Sequence, residues 1–154
     1  MNADYWRGKR VVITGISGFV GSNLTKALLD FGADVVGLDR VKESPSLRAL
    51  NAGHVLILGR DIRSRERLLW ALANGNGLAD WRVPEVVFHL AGMGHIKDCQ
   101  ERPLEALETN VLGTANILEA CRELKPTPPV VVLASSNHTF GSLPPGRWSW
   151  REDD

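Results

Sequence analysis

Residues 11–21 read Val11-Val12-Ile13-Thr14-Gly15-Ile16-Ser17-Gly18-Phe19-Val20-Gly21. A run of β-branched residues gives way to glycines at intervals of three, and a helical pattern follows. The run suits a strand buried on both faces. Gly15 permits a tight turn, Gly18 lets the backbone approach a pyrophosphate, and Gly21 lets the helix pack closely on a sheet. The spacing differs from G-x-G-x-x-G, but the physical demands are similar. The N-terminus of the following helix offers unpaired N–H groups and a partial positive charge to phosphates. Glycines alone mark many plain turns; a place between strand and helix points to nucleotide binding.

Similar runs recur outward from this segment. Val35–Leu38, Val55–Leu58, Val86–Phe88 and Val130–Leu133 read as further buried strands. Helical patterns lie between them. Phe19–Phe31 places Val20, Leu24, Ala27, Leu28 and Phe31 on one stripe. A short helix follows the second strand, and Arg65–Ala73 forms another. Pro103–Leu124 reads as one long helix with Leu107, Val111, Ile117, Leu118 and Cys121 as its apolar positions and Asn110 buried at its middle. Pro103 suits its first turn. The alternation predicts an α/β fold: a doubly wound, Rossmann-like parallel sheet of about five strands in the order 3-2-1-4-5, in three layers with right-handed crossovers. Five of the eight prolines fall between Pro126 and Pro145, where the regular pattern stops. The expected division is a dinucleotide-binding domain over 1–135 and a loop over 136–154 that leads toward a catalytic segment.

Composition narrows the function. The 154 residues carry 18 Lys+Arg and 18 Asp+Glu, so formal net charge is zero, which argues against a nucleic-acid partner. Apolar residues make up 44% and charged residues 23%, as in globular chains, excluding a disordered one. Cys99 and Cys121 form no disulfide framework and no zinc spacing, and read as thiols of a reducing cytosol. No apolar run reaches the ~18 residues of a membrane span, and Met1–Arg10 lacks a signal-peptide core. The expectation is a cytoplasmic protein without a membrane or metal partner.

Two acidic residues extend the nucleotide reading. Asp39 ends the second strand, where a carboxylate accepts both hydroxyls of an adenosine ribose and repels a 2′-phosphate. Arg40 follows at once and is suited to pair with that phosphate. A pair of solvated turn residues would look the same. Asp61 follows the third strand, in Gly59-Arg60-Asp61-Ile62-Arg63. It suits either the adenine edge of a dinucleotide or the N-cap of the next helix.

Further segments fall into family order: His89-Leu90-Ala91-Gly92, Asn110-Val111-x-Gly113-Thr114-x-Asn116-x-Leu118-Glu119-Ala120 and Ser135-Ser136-x-x-x-Phe140-Gly141. With the glycine turn, Asp39 and Asp61-Ile62-Arg63, they resemble the extended short-chain dehydrogenase/reductases, the NAD-dependent epimerase/dehydratase group acting on sugars and nucleotide sugars. The opening Tyr5-Trp6-Arg7-Gly8-Lys9-Arg10 and the closing Trp148-x-Trp150-Arg151-Glu152-Asp153-Asp154 look like cytidine-diphosphate-glucose 4,6-dehydratases. The resemblance implies NAD, in preference to NADP, as cofactor. It implies that Gly15, Ser17, Gly18, Phe19, Val20 and Gly21 hold the pyrophosphate, Asp39 and Arg40 border the ribose, and Asp61 with Ile62 meets the adenine. Leu90, Ala91 and Gly92 would line the nicotinamide side. Ser136 matches the catalytic Ser/Thr that hydrogen-bonds the reacting sugar oxygen. His89 reads as a packed strand-end residue, not a catalytic one.

The sequence also departs from that pattern. Where deoxythymidine-diphosphate-glucose dehydratases carry Asp-Glu after the catalytic Thr, this chain has Asn137-His138, a pair that resembles the sugar-acid contacts of uronate dehydrogenases. The family's catalytic Tyr-x-x-x-Lys is absent from its expected place beyond the fifth strand: the single tyrosine, Tyr5, has Lys9 four residues on, but the pair precedes the first strand and cannot substitute there. General acid–base assistance is worth ~10²- to 10⁴-fold in rate. The expectation is therefore a cofactor-binding part that stops before its own base, inactive alone, and either one piece of a longer enzyme or a stand-alone dinucleotide-binding module. An apolar sheet edge where a sixth strand belongs would favour a homo-oligomer or a complementing C-terminal fragment.

Overall fold

The computed structural model describes residues 3–41, 45–49, 55–74, 82–136 and 141. Its elements run α1 (Ala3–Trp6), β1 (Arg10–Thr14), α2 (Phe19–Asp30), β2 (Asp34–Asp39), α3 (Pro45–Ala49), β3 (Leu56–Gly59), α4 (Arg65–Asn74), β4 (Val86–His89) and α5 (Ile96–Glu101). A continuous helix from Pro103 to Glu123 follows, as α6 (Pro103–Leu107), a π turn (Glu108–Leu112) and α7 (Gly113–Glu123), and β5 (Val130–Leu133) closes the order. The sheet is parallel, five-stranded and ordered β3-β2-β1-β4-β5, as the alternation predicts.

Every residue of β1 is buried. Its side chains alternate between faces. Val12 joins Leu38, Leu58 and Val87 beneath α4 and α7. Val11 and Ile13 join Ile16, Val35 and Val86 beneath α2. The register aligns Thr14 with Leu38 on one side and with His89 on the other. Asp39 stands beside Gly59, and His89 beside Leu133. All five carboxyl ends thus lie along one edge of the sheet. Order reverses between β1 and β4, where a crevice opens in such sheets.

Two helices differ from their sequence patterns. In α2 the buried positions are Gly21, Ser22, Thr25 and Leu28, and Val20 is 60% exposed. The start of the helix lies so close to β1 that small residues face it there, whereas farther on Leu28 is fully buried as expected and Leu24 packs against the same core. A Cβ on Gly21 would stand 2.3 Å from the Gly15 carbonyl oxygen. In the long helix Ile117 and Cys121 are buried as expected, but Leu107, Val111 and Leu118 are exposed. Leu118 lies in α7 itself, outside the buried stripe of Gly113, Asn116, Ile117, Ala120 and Cys121; ahead of it the π turn adds a residue and shifts the phase between α6 and α7. It also leaves Asn110 exposed, not buried. Past the turn, Gly113 seats against Ile62, whose Cδ1 would lie 2.7 Å from an added Cβ. α1 and α5 have no counterpart in the sequence reading; both are too short to show a period.

Val130, Val132 and Leu133 of β5 are exposed, and β5 is the outer strand among the described residues. No helix of the described residues is long and apolar enough to cross a membrane.

Asn116, buried in α7, donates from Nδ2 to the carbonyls of Ile62 (3.1 Å) and Arg63 (3.0 Å) and so fixes the segment after β3. Asn116→Leu strands both acceptors. Urea denaturation should show a loss of about 1–3 kcal/mol.

Candidate functional site

The turn after β1 is built by contacts that exclude side chains. Gly15 has φ +70°, and a Cβ there would lie 2.8 Å from the Ala91 amide nitrogen. The Gly15 N–H donates to the Leu38 carbonyl (2.9 Å), and the Gly18 N–H donates to the Gly15 carbonyl (3.1 Å). Gly18 is the N-cap of α2 and offers no side-chain acceptor to the first helical turn. The N–H groups at Phe19, Val20 and Gly21 therefore face outward from a helix of 12 residues, as an anion-binding end requires.

Asp39 reaches back over this turn. One carboxylate oxygen accepts from the Ser17 N–H (3.0 Å) and hydroxyl (2.5 Å), and the other accepts from the Val41 N–H (3.2 Å). Arg40 turns away and donates to Glu105 of α6 at 3.2 Å. The same carboxylate accepts from Arg102 at 2.8 Å. Arg40, with Arg102 behind it, holds the Glu105 carboxyl below its ordinary range. A residue absent from the sequence reading thus engages the guanidinium that follows Asp39.

Asp61 is not the N-cap of α4, which begins at Arg65; its carboxylate instead closes the turn before that helix. It accepts from the Arg63 N–H and guanidinium at 2.6–3.0 Å, and that guanidinium holds its carboxyl low. Arg63 reaches Glu108 at 3.4 Å as well. Arg60 lies over the Trp70 ring, 5.7 Å from its centroid.

These residues surround a cleft of about 220 Å³. Gly15, Ser17, Gly18, Asp39, Arg40, Asp61, Ile62, Leu90, Ala91 and Gly92 line it, so the fold gathers ten of the thirteen positions predicted to border a cofactor. Phe19, Val20 and Gly21 stand behind it as the first turn of α2. Thr109 also lines it, and its buried hydroxyl has no hydrogen-bond partner among the described residues. The glycine cradle, the uncapped helix end and the orphaned hydroxyl fit a phosphate-bearing ligand with a sugar near Asp39.

Leu90, Ala91 and Gly92 are shared with a second cleft of about 540 Å³, which adds His89, Met93, Asn110, Thr114, Ser135 and Ser136. Ser136 is thereby placed beside the wall that divides the two. Asn137 and His138 lie outside the described residues. Asn110 pairs with both backbone groups of Met93, accepting its N–H at 2.7 Å and donating to its carbonyl at 2.9 Å. Behind the wall, His89 is 2% exposed. Its Nδ1 lies 2.7 Å from Thr14 Oγ1 and its Nε2 lies 3.0 Å from Thr114 Oγ1. Tyr5 lies elsewhere, stacked edge-on against Trp6 in an apolar groove with Leu24, Phe88 and Val132. Burial pushes the Cys121 thiol up to about 11, so it stays protonated and unreactive.

Sequence patterns announced the glycines, Asp39 and Asp61 but not Thr14, Glu105, Thr109 or Thr114. Thr14 and Thr114 stand within the motifs but without a role, Glu105 and Thr109 stand in none, and only the sheet register and the π turn bring them to the clefts.

A family model described as the NAD-dependent epimerase/dehydratase family matches residues 11–153. CDP-glucose 4,6-dehydratase of Salmonella typhimurium is 33% identical over 142 residues, which cover 88% of this chain and 36% of that enzyme. Among solved structures, an epimerase from Methanothermobacter thermautotrophicus superposes with a TM-score of 0.71 at 29% identity, covering 88% of this chain and 37% of that one. A UDP-glucose 4-epimerase of Thermus thermophilus, solved in complex with NAD, gives 0.62 at 32% identity, over 74% and 34%. The chain spans about a third of the length of the curated relatives it matches.

Burial lowers the His89 pKa from its ordinary 6.5. A depressed histidine keeps the folded state neutral while the unfolded chain takes up a proton. Its contribution to stability is complete above pH 6.5 and is lost as pH falls through the folded-state value. Denaturant midpoints between neutral and mildly acid pH should fall for the wild type, and the slope should be shallower in His89→Asn.

Proposed function

Since the chain belongs to the NAD-dependent epimerase/dehydratase family, we propose that it is the cofactor-binding part of a sugar or nucleotide-sugar oxidoreductase and holds NAD in the first cleft. The observation that carries this reading is the meeting of an uncapped α2 N-terminus with the Asp39 carboxylate at the point where strand order reverses. NAD, when bound, supplies the acceptor for a hydride from the sugar.

The residues divide the work of binding. The N–H groups of Phe19 and Val20 at the open end of α2 meet the pyrophosphate, Ser17 and Gly18 shape the turn beside it through their bonds to Asp39 and Gly15, and Gly15 and Gly21 let the turn close beneath it. The Asp39 carboxylate accepts the adenosine ribose hydroxyls. Its charge, and the engagement of Arg40 by Glu105, disfavour a 2′-phosphate. Asp61 and Ile62 border the adenine, and Leu90–Gly92 the nicotinamide. Ser136, in the second cleft, hydrogen-bonds the sugar oxygen that becomes a carbonyl, with Asn137 and His138 beside the substrate. Residues 1–135 act as the dinucleotide-binding unit. The one Tyr-x-x-x-Lys of the 154 residues, Tyr5 to Lys9, leads into the amino end of β1 and lines neither cleft, so it is not placed to take the hydroxyl proton, and this reading gives the chain binding without turnover. Mixed with NAD and a panel of nucleotide sugars and uronates, the chain should leave the near-ultraviolet absorbance of the nicotinamide unchanged. Reduction of NAD would overturn that part of the reading.

Calorimetry should show NAD binding more tightly than NADP by about tenfold or more, because like charges are opposed at Asp39. Gly18→Val should fold, since Gly18 holds an extended conformation any residue adopts (φ −72°, ψ 170°), and should lose NAD binding. Normal binding by a folded Gly18→Val would remove the turn from the site. Glu105→Gln releases an exposed ion pair, so the NAD preference should narrow by only about two- to fivefold. That narrowing should vanish when Arg40→Ala is added.

A further inference from the structure

The wall between the clefts, Leu90 to Met93, has no regular structure of its own. Besides the bond of the Leu90 N–H to the Thr14 carbonyl (3.2 Å) and that of Cys99 Sγ to the Met93 carbonyl (3.4 Å), two side chains hold it. At one end Thr14 Oγ1 accepts from the N–H of Leu90 (3.2 Å) and of Ala91 (3.1 Å). At the other, the Asn110 side chain pairs with both backbone groups of Met93. Thr14 belongs to β1 and Asn110 to the π turn, so nothing in the chain's local structure sets one against the other. His89 spans the gap.

The proton positions follow from counting. Thr114 has one hydroxyl proton and donates it to the Asn110 carbonyl at 2.7 Å. The contact between Thr114 Oγ1 and His89 Nε2 at 3.0 Å therefore needs a proton on Nε2. Thr14 Oγ1 already accepts two amide protons, so its own proton points to His89 Nδ1 at 2.7 Å, and Nδ1 carries a lone pair. Each hydroxyl then donates once, and both ring nitrogens are satisfied. The opposite tautomer leaves Thr114 and Nε2 without a proton between them and crowds a third donor onto Thr14.

We propose that His89 is the positioning residue of this wall: a neutral imidazole protonated on Nε2 that ties Thr14, the holder of Leu90 and Ala91, through Thr114 to the helix turn of Asn110, the holder of Met93. Its ring sets the separation of the two holders, and so the shape that both clefts share. Gly92 shows how little slack remains, since a Cβ there would lie 3.2 Å from Asn110 Oδ1. The consequence for ligand affinity rests on the NAD reading above; the proton arrangement does not.

The test uses the full chain with ¹⁵N-labelled histidine. A multiple-bond ¹H–¹⁵N correlation at neutral pH, with the His89 signals identified by their loss in His89→Asn, should show the Nε2–H tautomer alone. An Nδ1–H ring, a mixture or an imidazolium would overturn the proposal. Amide exchange and NAD titration add the positioning readout. His89→Leu removes both contacts, so Leu90 and Ala91 should exchange faster while β2 amides are unchanged, and NAD affinity should fall about tenfold. His89→Asn presents an oxygen where Nδ1 accepts from Thr14, and should recover affinity to within about threefold of wild type. Leucine and asparagine variants that match each other, or a leucine variant that matches wild type, would overturn the proposal. If wild type fails to bind NAD, the cofactor reading fails, and the tautomer and amide exchange still decide the role of His89.

Discussion

The backbone of Gly15 passes Ala91 at a distance that leaves no room for a side chain, and most of the site depends on that approach. It presses the turn after β1 against the turn after β4, the two strands between which the sheet reverses its order. Gly21 repeats the constraint one layer up, because α2 can rest on the Gly15 carbonyl only without a Cβ. The turn is thereby clamped between the wall of the clefts and the first turn of its own helix. Its geometry is set by backbone contacts, which substitutions elsewhere cannot easily relax. Larger side chains at the same positions would widen the crevice and move the helix end away from it.

The fold was legible because its strands are continuous apolar runs, and such runs need cover on both faces. Val11–Ile13 and Val86–Val87 are buried on both sides of the sheet, as a parallel interior strand requires. Strand order followed from alternation and handedness. The helices were read less well, for two different reasons. In α2 the expected stripe holds at Leu28 but not at the start of the helix, where Val20 is exposed and close packing selects Gly21, Ser22 and Thr25. In the long helix a π turn breaks the 3.6-residue period on which the reading relies, so residues before and after it belong to different stripes. Local composition carries no sign of that turn. Its presence shows only through what it places: Asn110 against Met93, Thr109 at the first cleft and Thr114 behind the second.

The site was legible where function demands a backbone conformation and illegible where it demands a partner. Gly15, with φ +70°, announces itself, because few residues tolerate that conformation. His89 did not. A buried histidine at a strand end reads as packing, and its meaning lies in Thr14 and Thr114, 75 and 25 residues away. The same holds for Arg40, whose partner Glu105 lies 65 residues on. Asp61 fell between these cases. Its carboxylate does not cap α4 but closes the turn to Arg63 ahead of it, a contact that leaves it on the lining of the cleft.

The charge balance has its counterpart at the clefts. Cations are plentiful around the first one, yet each is engaged: Arg40 by Glu105, Arg63 by Asp61 and Glu108, and Arg60 over Trp70. The attraction for a dianionic pyrophosphate therefore falls on neutral groups, the N–H donors of the turn and the end of α2. Donors of this kind have fixed directions and lose little freedom when a ligand arrives, whereas a flexible lysine or arginine must be ordered first. They also make the site selective by position. A phosphate is favoured only where the N–H groups converge, and a second one beside Asp39 meets a carboxylate with its nearest guanidinium already engaged. A chain with no net charge can thus bind one anion and discriminate against another a few ångströms away, because the two places differ in backbone direction and not in overall potential.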